Sequence, residues 1–158
     1  MGVRFVPFTE ADFDAWLVQA IPAFALTNVR DGRWTLAESI VKSQEAHLAL
    51  LPQGLATPGQ FFVHLHDEAG GQRVGSLWWS EGGKGGRREA YVYNIEIDEA
   101  ARRRGHARAA FAELERVARE HGMQQVGLHV FGHNTGARRL YDELGFEPTS
   151  ITMRKVLR

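Results

Sequence analysis

The order of three segments limits this chain more than any other feature of it. In AYVYNIEI, the residues Tyr91–Ile97 carry the β-branched and aromatic pattern of a strand. After DEAARRRG, the residues Ala110, Phe111, Leu114, Val117, Ala118 and His121 recur at helical spacing, Glu115 stands one turn before Arg119, and Gly122 is a stop. QQVGLHVF then reads as a further strand. Strand, helix, strand in that order implies a right-handed crossover, so parallel pairing is expected at the heart of an otherwise antiparallel sheet.

The remaining segments fit around that unit. VRFVPF reads as a first strand, and TEADFDAWLVQAI as a helix with Thr9 as N-cap and Asp12 at N3. A second helix is expected from about Thr35 to Leu51, before Pro52 and Gly54, and QFFVHLH and VGSLWW form a hairpin turning at DEAGGQ. SEGGKGGRRE lacks the Ser or Thr that a phosphate loop needs after its lysine, since Gly85 follows Lys84, so a mobile hairpin tip is expected. TGARRLYDEL gives a short helix closed by Gly145, and ITMRKVL a last strand. With no repeat or linker, 158 residues suit one domain over 1–158: α/β, a strongly twisted mixed sheet with about four helices.

Charge and cysteine content close off several functions. Lys+Arg number 19 and Asp+Glu 19, so general nucleic-acid binding is not expected and any basic patch must be local. Without cysteine there are no disulfides, thiol nucleophiles or thiolate metal sites. No apolar run approaches the roughly 18 residues of a membrane span, and the first residues carry no secretory pattern, so a cytoplasmic protein is expected. His64 and His66 share a strand face as two metal ligands could, but no third ligand is evident and no metal is expected.

RRRGHARAAF poses an electrostatic problem. The N-terminus of a helix already favours an anion, so Arg102, Arg103 and Arg104 there repel one another unless something strongly negative lies between them. A phosphate-bearing ligand is the natural candidate. Arg102, Gly105 and Ala107 fit the pattern Arg/Gln-x-x-Gly-x-Gly/Ala between a predicted strand and a predicted helix, where backbone amides can point at a pyrophosphate and small residues let it approach. Farther on, NTGARRLYDELGF puts Asn134, Ala137 and Tyr141 on the short helix after the next strand.

These two motifs, in this order and at this separation, resemble the GNAT superfamily of N-acetyltransferases, which bind acetyl-CoA. The resemblance covers about Tyr91 to Met153, and before that only the order of elements. It implies that the backbone of Ile95, Glu96 and Ile97 pairs with the pantetheine arm and that Arg103, Arg104, Gly105, His106, Ala107 and Arg108 cradle the pyrophosphate through their amides. It also implies that Asn134 bonds the pantetheine while Tyr141 lies near the sulfur. The arginine cluster is then offset by the phosphates of the ligand.

Acetyl transfer to an amine needs a base for the amine proton and an acid for the departing thiolate. Tyr141, with a reference pKa of about 10, suits a thiolate whose conjugate acid is near 8.5. Glu96 and His129 both qualify as base; the place of His129 is where peptide-acetylating relatives carry a glutamate. Each residue also has a plainer reading: Tyr141 as a core aromatic, Asn134 as an N-cap, His129 as a sheet histidine and Glu96 as the partner of an arginine. Trp34, Trp78, Trp79 and Tyr93 are candidates for an acceptor groove or for the core. The expected activity is acetyl transfer from acetyl-CoA to a small-molecule, peptide or protein amine. A CoA-binding module without catalysis and a nucleic-acid-binding module are the alternatives. Oligomeric state stays open, a homodimer included.

Overall fold

The computed structural model describes residues 2–84 and 87–158. The elements are β1 (Val3–Pro7), α1 (Glu10–Arg30), α2 (Leu36–Leu50), β2 (Gln60–Asp67), β3 (Arg73–Lys84), β4 (Arg87–Ile97), α3 (His106–Glu120), β5 (Gln125–Leu128) and α4 (Thr135–Glu143). The sheet order is β1-β2-β3-β4-β5. All neighbours are antiparallel except β4 and β5, which pair in parallel with α3 as their connection. The mixed α/β sheet and its four α-helices therefore follow the sequence expectation.

Alternation in β2 and β3 divides the apolar residues between two faces. Val63, Leu65, Leu77 and Trp79 pack with Ala110, Phe111, Leu114 and Ala118 of α3. Phe62 and Trp78 point the other way, onto Phe8, Phe13 and Trp16 of the β1–α1 corner. At about 25 cal/mol per Å² of apolar area removed from water, these two layers are the main source of stability.

α1 starts as expected. Thr9 Oγ1 accepts from the Asp12 amide at 3.2 Å, and the Asp12 carboxylate accepts from the Thr9 amide at 2.8 Å. The helix does not stop at Ile21, however: it continues through Pro22 to Arg30. A proline removes one helical hydrogen bond, and here burial of Ala25 and Asn28 outweighs that loss. Ser43 of α2, fully buried, donates to the Ile21 carbonyl at 2.7 Å and fixes the two helices together beside the proline.

Two further expectations are corrected. SEGGKGGRRE, expected to be a mobile hairpin tip, is largely strand, because the β3–β4 ladder runs on to Lys84↔Arg87; its residues 85–86 lie outside the described residues. ITMRKVL does not form a strand. From Phe146 to Arg158 the chain has no helix, strand or turn, and residues 147–158 are exposed. A strand needs a neighbour for its backbone groups, and this segment has none within its own chain among the described residues.

Candidate active site

The site is organised by two irregularities of β4. Opposite β3 the register passes from Trp78↔Asn94 to Trp79↔Val92, which leaves Tyr93 as an extra, bulged residue. On its other side the ladder with β5 ends at Val92↔Leu128. From Tyr93 to Ile97, β4 therefore has no strand beside it on that edge. The chain leaving β5 diverges through His129, Val130 and Phe131, and a cavity of about 540 Å³ opens in the gap, closed on its far side by α1 and α2.

Glu96, His129, Asn134 and Tyr141, distant in sequence, all line this one cavity, as does Ile95. Glu96 is exposed and forms no ion pair among the described residues. His129 stands just past the end of β5, not within it, with its ring edge-on to Phe131 at 4.9 Å. Asn134 is the N-cap of α4: its Oδ1 accepts from the Ala137 amide at 3.3 Å, which leaves its NH₂ group for a ligand. Ala137 is therefore a capped amide of the first turn. Tyr141 is half-buried, its ring edge-on to Phe111 and Phe146 at 5.7 and 5.6 Å. Burial pushes its phenol above the ordinary value of 10.0, so the hydroxyl stays protonated at neutral pH.

Ile97 and the segment from Arg102 to Arg108 lie outside the cavity lining, at the end of β4 and the start of α3. Arg102 turns back to donate from Nε to the Ile97 carbonyl at 3.0 Å. Arg108 pairs with Glu143 of α4 at 2.8 Å. Two of the four arginines are thus committed to protein partners, while Arg103 and Arg104 stay exposed. Arg103 has φ 63° and Gly105 φ 79°, both left-handed, with Arg104 between them on the ordinary side. Such alternation turns successive amides toward one point and forms an anion-binding concavity. Gly105 is the N-cap of α3 and offers no side-chain cap to the amides of the first turn, His106, Ala107 and Arg108; His106 itself is buried. Those amides have no partner within the helix.

Sequence reading missed several lining residues. Trp16 and Phe24 of α1 and His47 of α2 form an aromatic wall of the cavity with Trp78, Tyr91 and Tyr93. No motif marks the helical ones, which stand out only once the helices pack. Trp79 is core on the α3 face, stacked on Phe61 at 4.4 Å, and Trp34 packs edge-on against Phe24; neither lines the groove. His64 Nε2 lies 3.1 Å from the Asp12 carboxylate, and the Thr9 amide, with His64 beside it, holds the Asp12 pKa down at about 2. Among the described residues no group of three His, Asp or Glu could hold a metal. Gly75 was also missed: a Cβ there would collide with the Glu96 carbonyl. A glycine inside a strand was the available signal.

The sequence profile of the acetyltransferase (GNAT) family matches residues 26–146. The uncharacterized N-acetyltransferase YdgE of Bacillus subtilis is 35% identical over 157 residues, covering 99% of both chains. The uncharacterized N-acetyltransferase YycN of the same organism has a crystal structure that superposes with a TM-score of 0.91 at 31% identity, over 99% of each chain. A mycothiol acetyltransferase of Beutenbergia cavernae is 29% identical over 143 residues, which are 90% of this chain and 44% of that one.

Proposed function

The chain belongs to the acetyltransferase (GNAT) family, whose members draw their acetyl group from acetyl-CoA, and we propose that it passes that group directly to a primary amine. The observation that carries the reading is the open edge of β4, with Glu96, His129, Asn134 and Tyr141 gathered around one cavity. The edge of Ile95, Glu96 and Ile97 that faces away from β3 has no strand beside it and suits an extended amide-bearing arm, which would add as a strand does, with the Ile97 carbonyl already held by Arg102. The concavity at Arg103–Gly105 and the free amides of His106, Ala107 and Arg108 suit a pyrophosphate, with Arg102 bracing the loop against β4. Asn134 and the first turn of α4 at Ala137 would hold the arm from the other side.

The proton steps fall to the same residues. Glu96 or His129 takes the proton of the acceptor amine, directly or through water, and Tyr141 donates its phenolic proton to the departing thiolate. The donor needs to remain protonated until that moment, and the burial that raises its pKa supplies this. The same proposal takes the enzyme as one cytoplasmic domain over 1–158 and leaves its oligomeric state open, a homodimer included. No helix among the described residues is long and apolar enough to cross a membrane.

Tyr141→Phe tests the assignment. The ring keeps its contacts with Phe111 and Phe146, so acetyl-CoA affinity measured by calorimetry should hardly move. The loss of an interaction made in the transition state should lower kcat and kcat/KM together by about 10²–10⁴. Near wild-type turnover would return Tyr141 to a packing role, and a wild-type protein that binds acetyl-CoA but acetylates nothing in an amine panel would be a binding module.

A further inference from the structure

The acceptor side of the cavity has a consistent chemistry. Tyr93 stacks on Trp78 at 4.5 Å, Tyr91 meets Tyr93 at 4.8 Å, Trp16 stands edge-on to Trp78 at 5.5 Å, and Phe24 meets His47 at 5.6 Å. Trp78 Nε1 donates to Gln60 at 2.7 Å and His47 Nδ1 is held by the Ser43 carbonyl at 2.8 Å, while the ring faces make up most of the wall. Apart from histidines, the charged residues lining the cavity are Glu96 and Arg33.

Resting on the acetyl-transfer reading above, we propose that the acceptor is a monoamine joined by a short linker to a flat apolar body. The aromatic walls favour such a body and, through their faces, an ammonium beside it. One carboxylate matches one ammonium, whereas a polyamine would bring several cations to a wall that offers Glu96 alone. An amino sugar would leave its hydroxyls facing rings.

The test is kcat/KM for tryptamine, phenethylamine, spermidine, glucosamine and an N-blocked lysine. Tryptamine should exceed spermidine and glucosamine by about tenfold or more, the scale on which a pocket separates apolar from polar bodies. Tyr93→Ala should raise KM for tryptamine more than it lowers kcat. Preference for spermidine or glucosamine overturns the proposal while leaving acetyl transfer intact. If no amine is turned over, acetyl transfer fails instead, and quenching of tryptophan fluorescence by phenethylamine decides the pocket: saturable quenching lost in Tyr93→Ala supports it, and unsaturable quenching overturns it.

A separate observation concerns the C-terminal segment. Ile151, Met153, Val156 and Leu157 are 73%, 87%, 83% and 86% exposed, on a run without a turn. Among the described residues, Arg154 alone ties residues 147–158 to the body by hydrogen bonds or ion pairs, through the carbonyl and carboxylate of Asp31 at 2.9 and 3.7 Å. A half-exposed pair of this kind contributes little. At the same time β5 ends the sheet with its outer edge open, and α4 has no buried residue: Leu140 and Tyr141, and Leu144 just past its end, are only half-buried. A strand beyond β5 would cover both.

We propose that residues 150–157 add to the open edge of β5 in a second copy, each copy giving its strand to the other about a two-fold axis. One chain supplies both halves of the contact, and reciprocal exchange about the two-fold axis closes it at two, whereas strands passed on to a third copy would give larger assemblies. Light scattering of the full chain should give twice its 17.7 kDa mass. Met153→Pro, at a position too exposed to disturb its own fold, removes an amide and should give the single-chain mass. The chain has no cysteine, so a protein carrying Gln125→Cys can be mixed with one carrying Ser150→Cys, Thr152→Cys or Arg154→Cys; at least one mixture should form a disulfide between the two. A monomeric wild type, a Met153→Pro dimer, or no mixed disulfide in any pair overturns the exchange.

Discussion

Gly75→Ala isolates one methyl group in the middle of the sheet. Gly75 pairs with Ile97, and its missing side chain lets the Glu96 carbonyl lie where a Cβ would be; the Ile97 Cα would also stand 3.1 Å from that atom. Ala at this position has no conformational handicap, because Gly75 is not in the left-handed region. In the unfolded chain Ala is favoured over Gly by about 0.4–1 kcal/mol. The collision outweighs this. Restoring ordinary contact requires β4 to retreat by about 1 Å, and overpacking of that kind costs about 1–3 kcal/mol. For a chain of this size the melting temperature should fall by about 2–10 °C. The retreat moves the backbone of Glu96 and Ile97, the proposed edge for the pantetheine arm, and a 1 Å misplacement of reacting groups costs about 10²-fold in rate. Differential scanning fluorimetry, acetyl-CoA calorimetry and steady-state acetylation read the three effects. Wild-type melting together with wild-type acetyl-CoA affinity would refute the close-approach reasoning.

Three other outcomes are expected. Gly105→Glu places a side chain at φ 79°, at a cost of about 1–2 kcal/mol, and a carboxylate where the phosphates belong; calorimetry should show acetyl-CoA binding lost. Comparing Glu96→Gln with His129→Gln across a pH–rate profile should show the alkaline-rising limb flattened in whichever variant has lost the base, and wild-type profiles in both would assign proton removal to water or to the substrate. Asp12, with its folded pKa lowered to about 2, stabilises the start of α1 above its unfolded pKa of about 3.9, and this contribution is lost as pH falls through the folded value. Asp12→Asn should therefore melt lower at pH 6 and lose less on acidification to pH 2 than the wild type does; parallel pH curves would count against the cap.

What was legible in the sequence follows the range of the interactions concerned. The capping box at Thr9, the stop at Gly122 and the crossover through α3 are local or set by segment order, and each is found where it was read. The loop proposed for the pyrophosphate drew notice because an arginine run at a helix start is a local electrostatic anomaly. Helix α1 outran its reading because Pro22 is a local signal, while the compensation at Ala25, Asn28 and Ser43 comes from α2. The wall formed by Trp16, Phe24 and His47 left no trace, since those positions meet only through packing. ITMRKVL has a strand's composition but lacks a partner strand within its own chain among the described residues, and composition cannot supply one.

The bulge at Tyr93 acts on β4 as an inserted letter acts on a reading frame. Before it, the even-numbered Ala90 and Val92 pack toward α3; after it, the odd-numbered Ile95 and Ile97 do. The change of parity is written in AYVYNIEI itself. Because of it, Glu96 pairs with Ser76 and stands on the face of Trp78 and the cavity. Deleting Tyr93 alone would put β4 back in a single frame with no face exchanged: Asn94 would follow Val92, Ile95 and Ile97 would still pack toward α3, and Glu96 would still stand on the cavity side. What the deletion removes is the Tyr93 ring that stacks on Trp78 in the cavity wall, so the bulge fits one more side chain into that wall without turning the rest of the strand over.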